Sequence, residues 1–492
     1  MNINVLFASA EAAPFAKVGG MADVVGSLPA ALRKLGVDAR VIIPHYGFIN
    51  DDKFQILPAF DFEFSRNTGV TDVHVFKSIQ DGVTFYLVQG WPFFGSENKV
   101  YTEWAWDVPR FIFFNQVAMA VAWEIRQREG WFPDVFHIND WHTGLIPFLL
   151  DVAKPDPNWG RVASILSIHN MAYQGEHSGG WMWQLGIPGR NHPDLLWRGL
   201  TVNMLAIAIA YSDKVSTVSP RYATEIQYPY MGYGLDNLVR TRGQDMVGIL
   251  NGLDTDLWNP ETDKLLASNY NADNFVTQRP PNKHQLQMDS GLETRDDIMV
   301  IGVVSRLVAQ KGFDLALPAL RWMLGDTDVQ FVLLGAGDPD LDYEFWRLGK
   351  DFSAKAKVFQ GYNAALAQRI YAGCDVFLMP SHFEPCGIGQ MIAMRYGALP
   401  LVRETGGLAD TVQNYDNGNA DQGVGFVFNW ETSDALLGTL HWALNTYHNK
   451  PDAWQRMQRR AMQTDVSWVN SAQKYVDLYS SAITNRRRMF AP

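Results

Sequence analysis

The sequence predicts an α/β protein built from two doubly wound domains that face each other across a cleft. Three observations carry that prediction. An apolar run, a glycine turn, an amphipathic stretch and a second apolar run open the chain in the order of a βαβ unit. The same alternation restarts near residue 298. Between the two lies "NGLDTDLWNP" (251–260), a turn-rich stretch that reads as a linker.

In the first half, residues 3–10 form the opening strand and 21–35 carry helical periodicity. "VDARVII" (37–43) is the second strand. Buried-strand candidates follow at 134–138, 161–168 and 214–218, separated by helical stretches such as 109–128. Such alternation implies parallel strands covered on both faces. In the second half "IMVIGVVSRL" is a strand, and "FDLALPALRWML" a helix interrupted by Pro318. "VQFVLLGAG" is a strand that ends in glycines. Strand 375–381, helix 388–396, strand 398–402 and a helix from Leu408 continue the series. The stretch 414–423 reads as a flexible surface piece, and no short-period repeat is evident.

The 492 residues are enough for two or three domains at roughly 100–200 residues each. With 47% hydrophobic and 19% charged residues, a sizeable core can be buried. The net charge of −11 argues against a general nucleic-acid binder, though not against one local basic pocket. Only Cys374 and Cys386 are cysteines, which excludes a disulfide scaffold and fits a reducing compartment. No apolar run reaches membrane-span length, so no membrane partner is expected. The expected location is the cytoplasm, or a plastid stroma if a transit peptide has been removed. The 17 tryptophans suit core packing, and collectively also suit the flat faces of sugars.

Ligands of doubly wound sheets bind beyond the carboxyl ends of the strands, so the loops there carry the candidate chemistry. In "FAKVGGMADVVGSLP", Gly19 and Gly20 lack Cβ atoms, and their N–H groups can approach a pyrophosphate at the positive end of the next helix. Lys17 adds a movable charge. An ordinary strand-to-helix turn would look the same. In "SRLVAQKG", Arg306 and Lys311 can converge on one anion, although two solvated charges are an equal reading. "SHFEPCGIGQ" follows the strand 375–380 and opens a helix at Gly387. Its Glu384 suits sugar hydroxyls or a developing positive charge, and Cys386 reads as packed and unreactive. "FHINDWHTGL" and "SIHNMAYQG" bring Asp140, His142, His169 and Asn170 to strand ends, where they suit sugar contacts or ordinary hydrogen bonding. Spacing makes a zinc site from His137, His142 and His169 a poor reading. "DTD" (254–256) reads as a turn and cap, so no metal or other cofactor is expected.

Taken together, "KVGGMADVVGSLP", "NDWHTGLIP", "SIHNMAYQG", "DKVSTVSPRYA", "GILNGLDTDLWNP", "SRLVAQKG", "FEPCG" and "ETGGLADTV" resemble the bacterial glycogen synthase and plant starch synthase family. These are retaining glucosyltransferases that use ADP-glucose. The resemblance runs through nearly the whole chain, and the order and spacing of the motifs make it specific. "VGGMADVVGSLPAAL" and "RVIIPHYGFI" are similar in style to the cyanobacterial members.

The resemblance implies the GT-B fold of two Rossmann-like domains. Residues 1–252 would form the acceptor side and 253–467 the nucleotide-sugar side. A C-terminal helix, about 468–492, would return to the first domain. It also implies glucose transfer from ADP-glucose to the non-reducing 4-OH of an α-1,4-glucan such as glycogen or starch. By motif, Lys17, Gly19 and Gly20 would contact phosphate and sugar, and Arg306 and Lys311 the diphosphate. Tyr362 would stack near adenine. Glu384, Cys386 and Gly387 would border the glucose, with Gly389, Gly406, Gly407 and Leu408 close to the nucleotide. Asp23, Asp140, His142, His169 and Asn170 would line the glucose and acceptor site. Lys17, His169, Arg306, Lys311 and Glu384 form the catalytic set. Three positions depart from the family pattern. Gly389 lacks a small hydroxyl or amide side chain, His382 stands where Arg is common, and Ala206 where Lys is common. Rival readings are a related transferase with another donor, a phosphorylase (for which no pyridoxal-lysine site is identifiable), and a weakly catalytic glucan-binding or priming protein.

Overall fold

The computed structural model describes residues 3–417 and 421–488. The chain divides into two compact units, Met1–Gly252 with Trp468–Pro492, and Leu253–Ser467.

The first unit holds β1 (Asn4–Ala8), β2 (Asp38–Pro44), β3 (Leu57–Arg66), β4 (Gly69–Gln80), β5 (Val83–Gly90), β6 (Val135–Asn139), β7 (Ala163–Ile168), β8 (Lys214–Thr217) and β9 (Met246–Gly248). They form one sheet in the order β3-β4-β5-β2-β1-β6-β7-β8-β9. From β5 to β9 every pairing is parallel, and β4 is antiparallel to both its neighbours. β1 and β6 are buried along nearly their whole length, which is why they read as continuous apolar runs. β3 and β4 instead form a half-exposed ribbon at the sheet edge. No strand was expected in that region from the sequence. Its signal is the alternation Phe60, Phe62, Phe64 before the 67–69 turn, a weaker pattern than a buried run.

The second unit holds β10 (Met299–Leu307), β11 (Val329–Gly337), β12 (Ala356–Gln360), β13 (Val376–Met379), β14 (Leu399–Arg403) and β15 (Phe426–Phe428). Their order is β12-β11-β10-β13-β14-β15, parallel throughout. The expected break at Pro318 does not occur, and the helix Phe313–Asp326 runs through it. Proline removes one N–H bond there, while the buried face continues on both sides with Leu315, Ala316, Ala319, Leu320 and Met323. The helix expected to open at Gly387 opens at Gly389, and the one expected from Leu408 begins at Gly406. Of the surface piece 414–423, residues 418–420 lie outside the described residues, and Asn414 bridges to Gly425.

The helix Trp468–Arg488 packs within the first unit. Trp468 Nε1 donates to Ser27 Oγ at 2.8 Å, Tyr479 OH meets His137 Nδ1 at 2.8 Å, and Arg486 donates to the Gly160 carbonyl. No helix among the described residues is long and apolar enough to cross a membrane.

Each sheet has one place where the strand order reverses. In the first unit the chain leaves β1 towards β2 and resumes on the other side with β6. In the second it leaves β10 towards β11 and resumes with β13. Such a reversal opens a crevice at the strands' carboxyl ends. Its lining is therefore set by the loops after β1 and β6 in one unit, and after β10 and β13 in the other.

Candidate active site

The loop after β1 is built on Glu11, a buried carboxylate that sequence reasoning missed. Its Oε2 accepts the N–H groups of Val18 at 2.6 Å and Gly19 at 2.9 Å. Its Oε1 accepts the hydroxyl of Tyr101. This corrects one expectation: the Gly19 N–H points into the protein rather than out to an anion. The outward donors are those of the first turn of the helix Gly20–Lys34, which has no side-chain cap. Lys17 and Gly20 are exposed at that end. Lys17 Nζ pairs with Asp23 Oδ1 at 2.6 Å. Burial raises the Asp23 pKa, and the Lys17 charge opposes that rise.

Asp140 follows β6 with a φ of 53°, a conformation that side chains with a Cβ adopt at a cost of about 1–3 kcal/mol. Its Oδ1 accepts the backbone N–H of His169 at 2.7 Å and of Asn170 at 3.3 Å, which ties the ends of β6 and β7 together. Burial pushes the Asp140 carboxyl up to about 7, against those two hydrogen bonds, and the Glu11 charge adds to the rise. His169 Nε2 lies 2.9 Å from Asn139 Oδ1. Because Asn139 Nδ2 donates to the Ala8 carbonyl, its Oδ1 is the acceptor and Nε2 of His169 carries the proton. His142 stacks on Tyr101 with ring centres 5.1 Å apart, and its buried Nδ1 has no hydrogen-bond partner among the described residues. Burial lowers His142 and His169 to about 3, so both are neutral at ordinary pH. The structure thus links Lys17, Gly19, Asp23, Asp140, His142, His169 and Asn170 through Glu11, Tyr101 and short backbone bonds.

His137 lies elsewhere. Its two nitrogens meet Tyr479 OH and Ser167 Oγ, so it holds the C-terminal helix rather than a ligand. Among the described residues no group of three His, Cys, Asp or Glu is placed to hold a metal ion. In "DTD", Asp254 Oδ1 caps the N–H groups of Asp256 and Leu257.

In the second unit three loops interlock. Gly312 (φ 68°) is the first lock, because a Cβ there would stand 2.0 Å from the Pro380 carbonyl oxygen. The His382 N–H donates to the Gln310 carbonyl at 2.9 Å across the same contact. Gly406 (φ 44°) is the second, with its Cβ position 2.0 Å from the Glu384 carbonyl oxygen. The Gly407 N–H donates to that oxygen at 3.0 Å. These approaches bring Lys311 against Glu384: Nζ to Oε2 is 2.5 Å, and Ser381 Oγ donates to the same oxygen at 3.1 Å. Cys386, Gly387 and Leu408 sit in the same cluster. Cys386 is buried, and neither cysteine forms a disulfide.

Two expected members stand apart. Arg306, near the end of β10, is exposed and forms no ion pair among the described residues. Tyr362 follows β12 and is 86% exposed. The three departures from the family pattern have local partners. A Cβ at Gly389 would lie 3.1 Å from Phe377 Cε1, so a side chain there needs Phe377 to move. His382 sits between Asp314, at 2.7 Å, and Glu431. Ala206 is fully buried in the apolar helix Met204–Tyr211.

Two sheets of this build, each with candidate residues at its reversal point, define a glycosyltransferase of the GT-B fold. Residues 4–241 match the family model described as starch synthase catalytic domain, and residues 287–460 match glycosyl transferases group 1. A glycogen synthase of Streptococcus sanguinis is 41% identical over 490 residues, covering 98% of this chain and 100% of that protein. One from Streptococcus pneumoniae serotype 2 is 40% identical with the same coverage. The catalytic domain of starch synthase IV from Arabidopsis thaliana, solved bound to ADP and acarbose, superposes with a TM-score of 0.89. It is 31% identical and covers 98% of this chain and 100% of that one. A sucrose-phosphate synthase from Thermosynechococcus elongatus shares the fold at a TM-score of 0.62 and 16% identity over 99% of each chain. The chain belongs to the bacterial glycogen synthase and plant starch synthase family, and it is a retaining glucosyltransferase.

Proposed function

We propose that this enzyme transfers glucose from ADP-glucose to the 4-OH at the non-reducing end of an α-1,4-glucan, with no essential metal. The observation that carries the reading is the Lys311–Glu384 pair at the reversal point of the second sheet, in a chain of this family. Breaking the anomeric C–O bond leaves negative charge on ADP and positive charge on the glucosyl ring. Arg306 and Lys311 of the second unit hold the diphosphate. Lys17 and the N–H groups opening at Gly20 contact phosphate and sugar. The backbone N–H groups are fixed donors that need no reorganisation as charge develops, while Lys17 and Lys311 exchange onto the phosphate from their carboxylate partners, and losing one such donor costs about 10²–10³ in rate. Cys386, Gly387, Gly389, Gly406, Gly407 and Leu408 border the donor, and Tyr362 stacks on adenine. Asp23, Asp140, His142, His169 and Asn170 line the glucose and acceptor site.

Retention follows from attack on the face the leaving group departs from. The acceptor oxygen bonds to the anomeric carbon as the C–O bond to ADP breaks, and the departing phosphate takes the hydroxyl proton. A double displacement through Glu384 is the alternative, and trapping a glucosyl–Glu384 adduct would overturn the front-face route. ADP release from ADP-glucose, with and without added glucan, tests the reaction. UDP-glucose as competitor tests the donor.

A further inference from the structure

Four exposed tyrosines lie on two segments of the first unit: Tyr173, three residues after Asn170, and Tyr228, Tyr230 and Tyr233 around the short helix Pro229–Gly232. Tyr173, Tyr228, Tyr230 and Tyr233 are 59%, 52%, 64% and 42% exposed. Tyr228 and Tyr230 lie stacked, with ring centres 6.0 Å apart and planes 23° from parallel. The buried Gln174 side chain donates to the Tyr233 carbonyl at 3.0 Å and to the Met171 carbonyl at 3.1 Å, so the Tyr173 loop is fastened to the 228–234 segment. The Tyr233 hydroxyl is held above its ordinary pKa by partial burial and then by the neighbouring Tyr173.

Two features mark this as more than stray exposure. Tyr233 has a φ of 47° just after the short helix Pro229–Gly232, a place where glycine is the usual residue. A bulky side chain is disfavoured in that conformation, and its half-exposed ring offers little burial in return. Moreover, neither 170–175 nor 226–235 contains a single Asp, Glu, Lys or Arg, and Arg240, which donates to the Gln227 carbonyl, is paired with Asp236. Aromatic faces without charge fit a neutral polyhydroxylated chain, whose sugar rings present flat C–H faces. They offer no cation within these stretches for a phosphate, which favours a neutral sugar chain over a nucleotide or a charged peptide.

We propose that Tyr173, Tyr228, Tyr230 and Tyr233 form a stacking platform for the α-1,4-glucan acceptor, carrying the chain onward from the Asn170 end of the site. The inference rests on the proposed glucan acceptor. Its geometry is continuous with the site, because Tyr173 is three residues from Asn170, a span of at most about 10 Å.

The test pairs binding with turnover in the full-length protein. Glycogen set in a native gel measures binding without reaction. Initial rates at saturating ADP-glucose give KM for maltoheptaose and glycogen. In the double variant Tyr228→Ala/Tyr230→Ala, retardation by glycogen is expected to weaken and KM for glucan to rise about tenfold, with KM for ADP-glucose unchanged. Tyr233→Asn, which keeps a residue tolerant of that backbone, is expected to act in the same direction, and Tyr228→Phe/Tyr230→Phe to bind as wild type. Equal retardation and equal glucan KM in the alanine and wild-type proteins overturn the platform. So does a change of oligomeric state with glucan affinity intact, which would mark a self-association surface. Wild-type protein that binds glucan through these rings yet releases no ADP keeps the platform and removes the donor reading instead.

Discussion

Lys311 Nζ stands 2.5 Å from Glu384 Oε2, and the carboxylate is almost fully buried while the ammonium keeps an edge to solvent. The ammonium is therefore neutralised before any anion arrives. In the proposed reading a diphosphate would compete with Glu384 for it, and the carboxylate would hold the lysine in register for that exchange. Lys311→Ala is expected to lower kcat by about 10²–10³. Glu384→Ala leaves a partly buried ammonium with no carboxylate. It is expected to destabilise the fold by about 1–3 kcal/mol, less than the ~3–5 for a fully buried pair because Lys311 reaches water. Steady-state kinetics and urea unfolding measure the two effects separately.

The pairing of Lys17 with Asp23 is of another kind. Both side chains are a third to a half exposed, and such pairs contribute about 0–1 kcal/mol. Releasing Lys17 to the phosphate proposed for it would therefore cost little. Lys17→Ala is expected to keep the thermal midpoint within a few degrees of wild type while kcat/KM for ADP-glucose falls by about 10²–10³. A variant with normal turnover would remove Lys17 from the mechanism.

Glu11 shapes the loop that presents Lys17. Its removal leaves the N–H groups of Val18 and Gly19 and the Tyr101 hydroxyl without their acceptor. Glu11→Ala is expected to cost about 1–3 kcal/mol in urea unfolding and to raise KM for ADP-glucose. Glu11→Gln, whose amide oxygen can still accept both N–H groups, is expected to restore most of each. Equal KM values in all three proteins would separate Glu11 from donor binding.

How far the sequence foretold this arrangement depended on the kind of signal. The strands β1, β6 and β10 were legible because a strand buried on both faces reads as an unbroken apolar run. The β3–β4 ribbon was not read, since its half-exposed alternation is a weaker pattern. Lys311 and Glu384 were singled out as charged residues at strand ends, but the close approaches at Gly312 and Gly406 that bring them together were not legible in the sequence. Glu11 was not singled out. A lone acid after a strand becomes informative only when the loop folds back over it. Pro318 misled for the opposite reason: packing on both sides of it outweighs one missing hydrogen bond.

Three histidines set an acid limit. His137, His142 and His169 are lowered from 6.5 to about 3, chiefly by burial. The unfolded chain binds more protons than the folded one between those values, so their contribution is full above pH 6.5 and is lost as pH falls towards 3. Asp140 acts in the opposite sense. Its folded pKa is raised from 3.8 to about 7, so the stability it favours is present below pH 4 and declines as pH rises to 7. Unfolding free energy measured from pH 4 to 8 is expected to rise with pH overall. Asp140→Asn is expected to steepen that rise by removing the opposing contribution, and an unchanged slope would contradict the Asp140 assignment.

The most direct measurement of the central claim is ADP release by purified protein supplied with ADP-glucose, alone and with glycogen. Slow release alone, strong stimulation by glycogen, and loss of that stimulated rate by at least about 100-fold in Lys311→Ala are expected. Release that ignores glycogen, or a Lys311→Ala protein that turns over as wild type, would contradict that claim.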